Sequence, residues 1–337
     1  MRSFLVKAIR IFLVGAMTVV SVVSPNKVQS KIKDYKEGCK ASIAVVSDLH
    51  LKNNFIRQGV LELGLADMQQ AEDRLDAVVF NGDITESSYD EMWECFTRAM
   101  LKYDIADQSL MVIGNHDTRN HEIIDENGEE QENPEGIKNT FIEYNKKATG
   151  RDIDNVYYTA NIAGYPVIVL GSEGSGTAAT VSQTQVDWFD EQMDKAAQTG
   201  LPIFVFFHQS INQTHGLPYN WELNKDHPAD KGGIGDRSDD ILNIIKKHKN
   251  VFYISGHIHA GLSAESDNNF YTSVEKYDGY TLINIPCFMY FDFIRGGHIS
   301  NGTGFVFEVY DNEVMLRARN FITGTYLTKY DVTVDLT

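Results

Sequence analysis

The sequence predicts an α/β domain. Short β-rich runs alternate with helical patterns up to residue 259, and several of those runs are apolar at nearly every position, as in strands covered on both faces. Beyond that point the chain changes character and reads as strands with little helix between them.

The β-rich runs are residues 42–47, 77–80, 110–113, 167–170, 203–207 and 251–254. Helical patterns lie between them at 55–73, 89–103, 137–147, 184–197 and 239–248. In the second of these Met92, Trp93, Phe96 and Met100 recur at helical spacing and belong to the core, while Ser182 with Gln185 reads as a capping box opening the fourth. Further strands are expected at 280–285, 304–310, 314–320 and 326–334, with Asp311-Asn312 as a hairpin turn. No Pro-, Ser- or Gly-rich linker separates the two parts, so the later strands are expected to form a second sheet packed on the first. Residues 41–337 then make one domain, with a polar segment at 31–40, a metal-site half at 41–260 and a second-sheet half at 261–337. Two insertions interrupt the alternation. Residues 122–135 hold seven acids and read as a solvated loop, and residues 211–237 form a long loop with His215, Tyr219, Trp221 and His227.

Residues 1–30 have the layout of a secretory signal: Arg2, Lys7 and Arg10 precede a 13-residue apolar run at 11–23, and no acid occurs before Asp34. That run is shorter than the roughly 20 residues a membrane-spanning helix needs, so a cleaved signal outranks an uncleaved anchor tethering the protein. Val28-Gln29-Ser30 places cleavage before Lys31, and the expected location is exported: secreted, periplasmic or cell-surface. The chain holds 47 acidic against 30 basic residues, a net charge of −17. Losing Arg2, Lys7, Arg10 and Lys27 would make it more acidic still, which disfavours nucleic acid and anionic membranes as partners and favours small substrates. Cys39, Cys95 and Cys287 are too few and too scattered for a disulfide framework. Buried packing is the expected role of Cys95 and Cys287.

The residues ending the β-rich runs carry the chemistry. Asp48-Leu49-His50 follows the first run, Gly82-Asp83 the second, Gly114-Asn115-His116-Asp117 the third, and His208 and Gly256-His257-Ile258-His259 two later ones. In an open α/β sheet the carboxyl ends of the strands border one crevice, so these side chains are expected to converge. Carboxylates, imidazoles and one amide suit Mn, Fe or Zn, and two cations held together need a bridging anion.

In this order the blocks DxH, GD, GNHD, a lone His and GHxH resemble the calcineurin-like metallophosphoesterase family. The resemblance implies a four-layer αββα sandwich of two packed mixed sheets flanked by helices. It also implies one metal on Asp48, His50 and His259, a second on Asn115, His208 and His257, and Asp83 bridging the two. His116 matches the family's acid or transition-state-stabilising imidazole, and Asp117 is expected to orient its ring. The activity implied is metal-dependent hydrolysis of a phosphomonoester or small phosphodiester by a metal-bridged hydroxide. The alternative is an exported, non-catalytic binding protein on the same fold. Two departures narrow the match: the GD block continues Ile84-Thr85-Glu86 without the tyrosine of purple acid phosphatases, and His208 is followed by Gln209 rather than a second histidine. Arg119, His215 and Trp221 are candidate substrate contacts, while His121, His227, His248 and His298 match no motif.

Overall fold

The computed structural model describes residues 29–216, 233–267, 271–289 and 301–337. Residues 1–28 of the expected signal lie outside this set, as do Tyr219, Trp221, His227 and His298.

Two mixed sheets face each other. The first is built on parallel strands β1 (Ala41–Val46), β2 (Ala77–Asn81) and β3 (Gln108–Val112). The second sheet takes the middle of the chain: β6 (Tyr158–Ile162), β7 (Tyr165–Val169), β8 (Ile203–Phe206), β9 (Val251–Ser255), β10 (Val274–Lys276) and β11 (Tyr280–Asn284), in the order β10-β11-β9-β8-β7-β6. A two-stranded hairpin, β4 (Ile123–Ile124) with β5 (Glu130–Gln131), stands apart inside the acidic insertion. The last strands, β12 (Thr303–Val309), β13 (Glu313–Asn320), β14 (Thr325–Tyr326) and β15 (Val332–Asp335), do not make the second sheet, contrary to the expected division at residue 260. β12 instead runs antiparallel beside β1 and extends the first sheet, because the free edge of β1 is satisfied by a register from Ala41 opposite Val309 to Val45 opposite Phe305.

Helices α1 (Phe55–Gln69), α2 (Asp90–Met100) and α3 (Pro134–Thr149) share a core with the first sheet, while α4 (Gln183–Ala197) and α5 (Ser238–Ile245) share another with the second. The period-2 alternation of β8 shows the layering: Phe204 and Phe206 join the core between the sheets, and Val205 and Phe207 join the core under α4 and α5. Phe204 meets Phe307 of the opposing sheet at a ring separation of 6.4 Å. The result is the αββα sandwich that the motif resemblance implied.

Local departures have local causes. α3 starts three residues earlier than its apolar pattern because Asn133 caps it, accepting from the Gly136 amide at 3.0 Å, and Pro134 opens its first turn. Only half of the capping box forms: Ser182 accepts from the Gln185 amide at 3.2 Å, but the Gln185 side chain bonds Gly171 instead of returning to Ser182. β6 is an edge strand whose alternate residues are polar, so its sequence lacks a continuous apolar run. The single strand expected at 326–334 is broken by a 3-10 turn at Thr328–Tyr330, where the Asp331 carboxylate takes the Ala318 amide of β13 at 2.9 Å. The Asp311-Asn312 hairpin is present, with Tyr310 donating to the Glu313 carbonyl at 2.8 Å.

Candidate metal centre

The strand tips of both sheets meet at one edge of the sandwich. Within the first sheet the amides of Asp48 and His50 donate to the Gly82 and Asp83 carbonyls at 3.0 and 2.8 Å. Across the gap, the His257 amide donates to Asp48 Oδ2 at 3.1 Å, and His208 Nδ1 lies 2.8 Å from the Asn81 carbonyl. That second contact fixes the His208 ring as an Nδ1–H donor, so Nε2 presents its lone pair to the centre.

Around that centre the donor atoms crowd together. His259 Nε2 is 2.9 Å from His50 Nε2 and 3.1 Å from Asp48 Oδ1. Asp83 Oδ2 is 3.2 Å from His208 Nε2 and 3.6 Å from His50 Nε2. Two nests result, one of Asp48, His50, Asp83 and His259, the other of Asp83, His208 and His257, with ligand atoms in each within 4.8 Å of one another. Asp83 belongs to both. Asp48 Oδ1, Asp83 Oδ2, Asn115 Oδ1 and His208 Nε2 are buried with no hydrogen-bond partner. Buried carboxylate oxygens left in that state cost several kcal/mol unless a cation meets them, so the residues fit a metal-binding role.

Charge distribution agrees. Burial alone would raise the Asp48 and Asp83 carboxyls, but the rings of His259 and His50 at Asp48, and of His208 at Asp83, hold both well below the usual range. Burial opposes a charge on His208 too, yet Asp83 pushes its pKa up to about 9. Burial holds His257 well below an ordinary histidine.

The backbone here is strained. Asp48, His50, Asp83, His257 and His259 all have φ between 43° and 69°, in the left-handed region that costs a side-chain-bearing residue about 1–3 kcal/mol. Five of the seven expected ligands sharing that conformation mark the strand tips as built to aim donors. A Cβ at Gly114 would lie 2.1 Å from the Asp83 amide, and one at Gly82, itself at φ +89°, 2.3 Å from His208 Nδ1.

His116 stands at the rim, its ring edge against His50 at 4.4 Å. Its orientation corrects the expectation for Asp117. The Asp117 carboxylate is consumed by the amides of Ile84, Thr85 and Gly114 and the Thr85 hydroxyl, at 2.8–3.1 Å, and so ties the tips of β2 and β3 together. The His116 ring is held instead by the Glu86 carbonyl, 2.8 Å from Nδ1, and Arg119 reaches its Nε2 at 2.9 Å. Burial pushes His116 down to about 4, against the pull of Asp83, so the ring is neutral at pH 7. Burial, then the Asp83 charge, pushes Asp117 up to about 7.

Of the substrate candidates, Arg119 sits beside His116. His215 is buried, its Nδ1 2.8 Å from the Thr272 carbonyl and its amide donating to Glu275, so it fastens its loop to β10. Trp221 lies outside the described residues. Three participants carried no motif: Glu86, whose carboxylate meets Arg57 at 2.7 Å and faces His50 Nδ1 at 3.7 Å; Asn284, which donates to the Gly256 carbonyl at 2.5 Å; and Cys287. Asn284 ends β11 at the same edge as the ligands, so the reading of polar strand ends could have found it. Arg57 gave no such signal, because a first-turn helix arginine ordinarily faces water.

Two donor nests sharing one buried carboxylate, at the edge of an αββα sandwich, define a metal-dependent phosphoester hydrolase. The chain belongs to the calcineurin-like phosphoesterase family, whose profile matches residues 41–261. It is 21% identical over 233 residues, 64% of this chain and 71% of the relative, to a protein of Arcobacter nitrofigilis named "Probable glycerophosphodiester phosphodiesterase GpdQ". Among solved structures, a dimetal phosphatase from Danio rerio superposes with a TM-score of 0.52 at 13% identity, covering 89% of this chain and all of that one. A structure of PhoD gives 0.53 at 11% identity, covering 91% and 72%. At such identities these two bear on the fold alone.

Proposed function

We propose that this phosphoesterase hydrolyses small phosphoric esters with two cations, Mn, Zn or Fe, held by Asp48, His50 and His259 on one side and Asn115, His208 and His257 on the other. The carrying observation is Asp83 Oδ2, buried, without a hydrogen-bond partner, and between His50 Nε2 at 3.6 Å and His208 Nε2 at 3.2 Å. One carboxylate oxygen facing both nests is what a bridging ligand requires. Bound metals would supply an acidified water and a clamp for the phosphoryl oxygens. The protein's own part is positioning: Asp117 and the Asn81 carbonyl fix the loops and the His208 ring, and Arg119 lies where a phosphate oxygen can pair with it. His116 assists departure of the alcohol, a neutral imidazole that must gain a proton as the ester binds.

The relative's name makes glycerophosphodiesters the first substrates to try, alongside phosphomonoesters and cyclic nucleotides. Chelation is expected to abolish hydrolysis, and Mn, Zn or Fe to restore it. Full activity in a rigorously metal-free preparation would overturn the reading. His116→Ala is expected to keep most of its metal and to lose roughly 10²–10⁴-fold in turnover on alkyl esters, with a much smaller loss on activated aryl esters that leave unprotonated. Equal slowing of both would assign the ring to phosphate binding instead.

Export remains the proposed fate of the chain. The reading rests on the basic start and the 13-residue apolar run at 11–23, with an uncleaved signal anchor as the alternative. Ser30 donates to the Gly324 carbonyl at 2.9 Å and its own carbonyl accepts from Arg319 at 2.7 Å, which favours a mature end at or before Ser30 over Lys31. Sequencing the N-terminus of the exported protein distinguishes the two, and an intact Met1 in the soluble cytosolic fraction would refute export.

A further inference from the structure

Cys287 follows β11 and is wholly buried. Its backbone forms a parallel bridge with Ser47, the residue before Asp48, and its amide donates to the Ala260 carbonyl, the residue after His259. The loop is thus wedged between the two motifs that supply the first nest. Its Sγ lies with the ring nitrogens of His50 and His259 in one group, all three atoms within 4.8 Å of one another. Donors sharing one zinc at ordinary bond lengths stand about 3.3–4.4 Å apart, so a shift of at most a few tenths of an ångström brings the sulfur to an ion held by these two imidazoles. Two independent atoms mark the space as a cation's: Asp48 Oδ1 and Asp83 Oδ2, buried, without hydrogen-bond partners, and grouped with the same two histidines.

We propose that Cys287 is a sulfur ligand of the nest formed by Asp48, His50, Asp83 and His259. This rests on the metal reading above. On binding, the S–H proton leaves to solvent and the sulfur lone pair forms the bond, with no change of oxidation state. A thiolate among nitrogen and oxygen donors makes this nest favour zinc, or another borderline-soft cation, over manganese. The two nests would then differ in metal preference although both share Asp83.

Cobalt(II) reads this directly, since a thiolate on cobalt gives a near-ultraviolet charge-transfer band that imidazole and carboxylate do not. The cobalt-loaded full chain is expected to show the band. It should persist in Cys39→Ser/Cys95→Ser, where Cys287 is the only thiol, and vanish in Cys287→Ala while cobalt stays bound. Zinc affinity in Cys287→Ala should fall on the order of 10-fold or more, with manganese affinity little changed. Bound cobalt without the band in the double variant, or a band surviving in Cys287→Ala, overturns the cysteine proposal and leaves the metal reading standing. Failure of the wild-type chain to bind cobalt, zinc or manganese overturns both.

Discussion

Asp83 is the residue on which the two nests depend. Its Oδ1 accepts from the His116 amide at 2.8 Å while Oδ2 faces His208 and His50, so one side chain orders the loop after β3 and supplies charge to both sides. Asp83→Ala is expected to remove both equivalents of metal, measured by elemental analysis of the purified variant; loss of a single equivalent would place the bridge elsewhere. The left-handed backbone at Asp48, His50, Asp83, His257 and His259 gives the same lesson in energetic form. Such strain persists where the surroundings over-determine it, and here the surroundings are the ladder bonds between strand tips.

Elements, not single residues, keep those tips in place. The loop after β2 is held by Asp117 from the loop after β3, whose carboxylate takes the Ile84 and Thr85 amides, the Thr85 hydroxyl and, within its own loop, the Gly114 amide. Asp117→Ala leaves the Ile84, Thr85 and Gly114 amides buried without that acceptor. The expected cost is about 1–3 kcal/mol for each group left unsatisfied, with metal affinity lower by on the order of 10–100-fold, read by urea unfolding and by metal titration. Unchanged metal affinity in a destabilised variant would show that the tips hold their positions without it. Gly114→Ala tests the same contact from the other side. Its Cβ would meet the Asp83 amide at 2.1 Å, a rigid backbone atom, so the loops must part and metal binding should fall with folding largely retained. A fully loaded Gly114→Ala protein would contradict the close approach.

At the scale of the whole molecule, the C-terminal strands clamp the N-terminal segment and α1 to the first sheet. Arg319, wholly buried, pairs both nitrogens with the Asp67 carboxylate at 2.8 Å, donates to the Ser30 carbonyl and lies against the Tyr326 ring. Arg317 does the same work beside it, on Glu308 and the Lys33 carbonyl at 2.6 Å each. Arg319→Ala strands a buried carboxylate and is expected to cost about 3–5 kcal/mol in urea unfolding, while Arg319→Met/Asp67→Leu recovers most of the loss. A single variant as stable as the parent would mean that water reaches Asp67.

What the sequence determined by itself was the alternation of buried strands with amphipathic helices and the set of ligands. Both are local facts: apolar runs such as 203–206 declare burial on two faces, and Asp48, Asp83 and His208 each terminate such a run. Tertiary structure decided what locality cannot carry. Which sheet β12–β15 join depends on an edge of β1 more than 250 residues away in sequence, and no periodicity records that pairing. Whether Asp117 turns to His116 or to the amides of Ile84 and Thr85 is settled by distances across two loops. So is the approach of Cys287 to His50 and His259, because a lone buried cysteine reads as packing until a fold sets two imidazoles beside it.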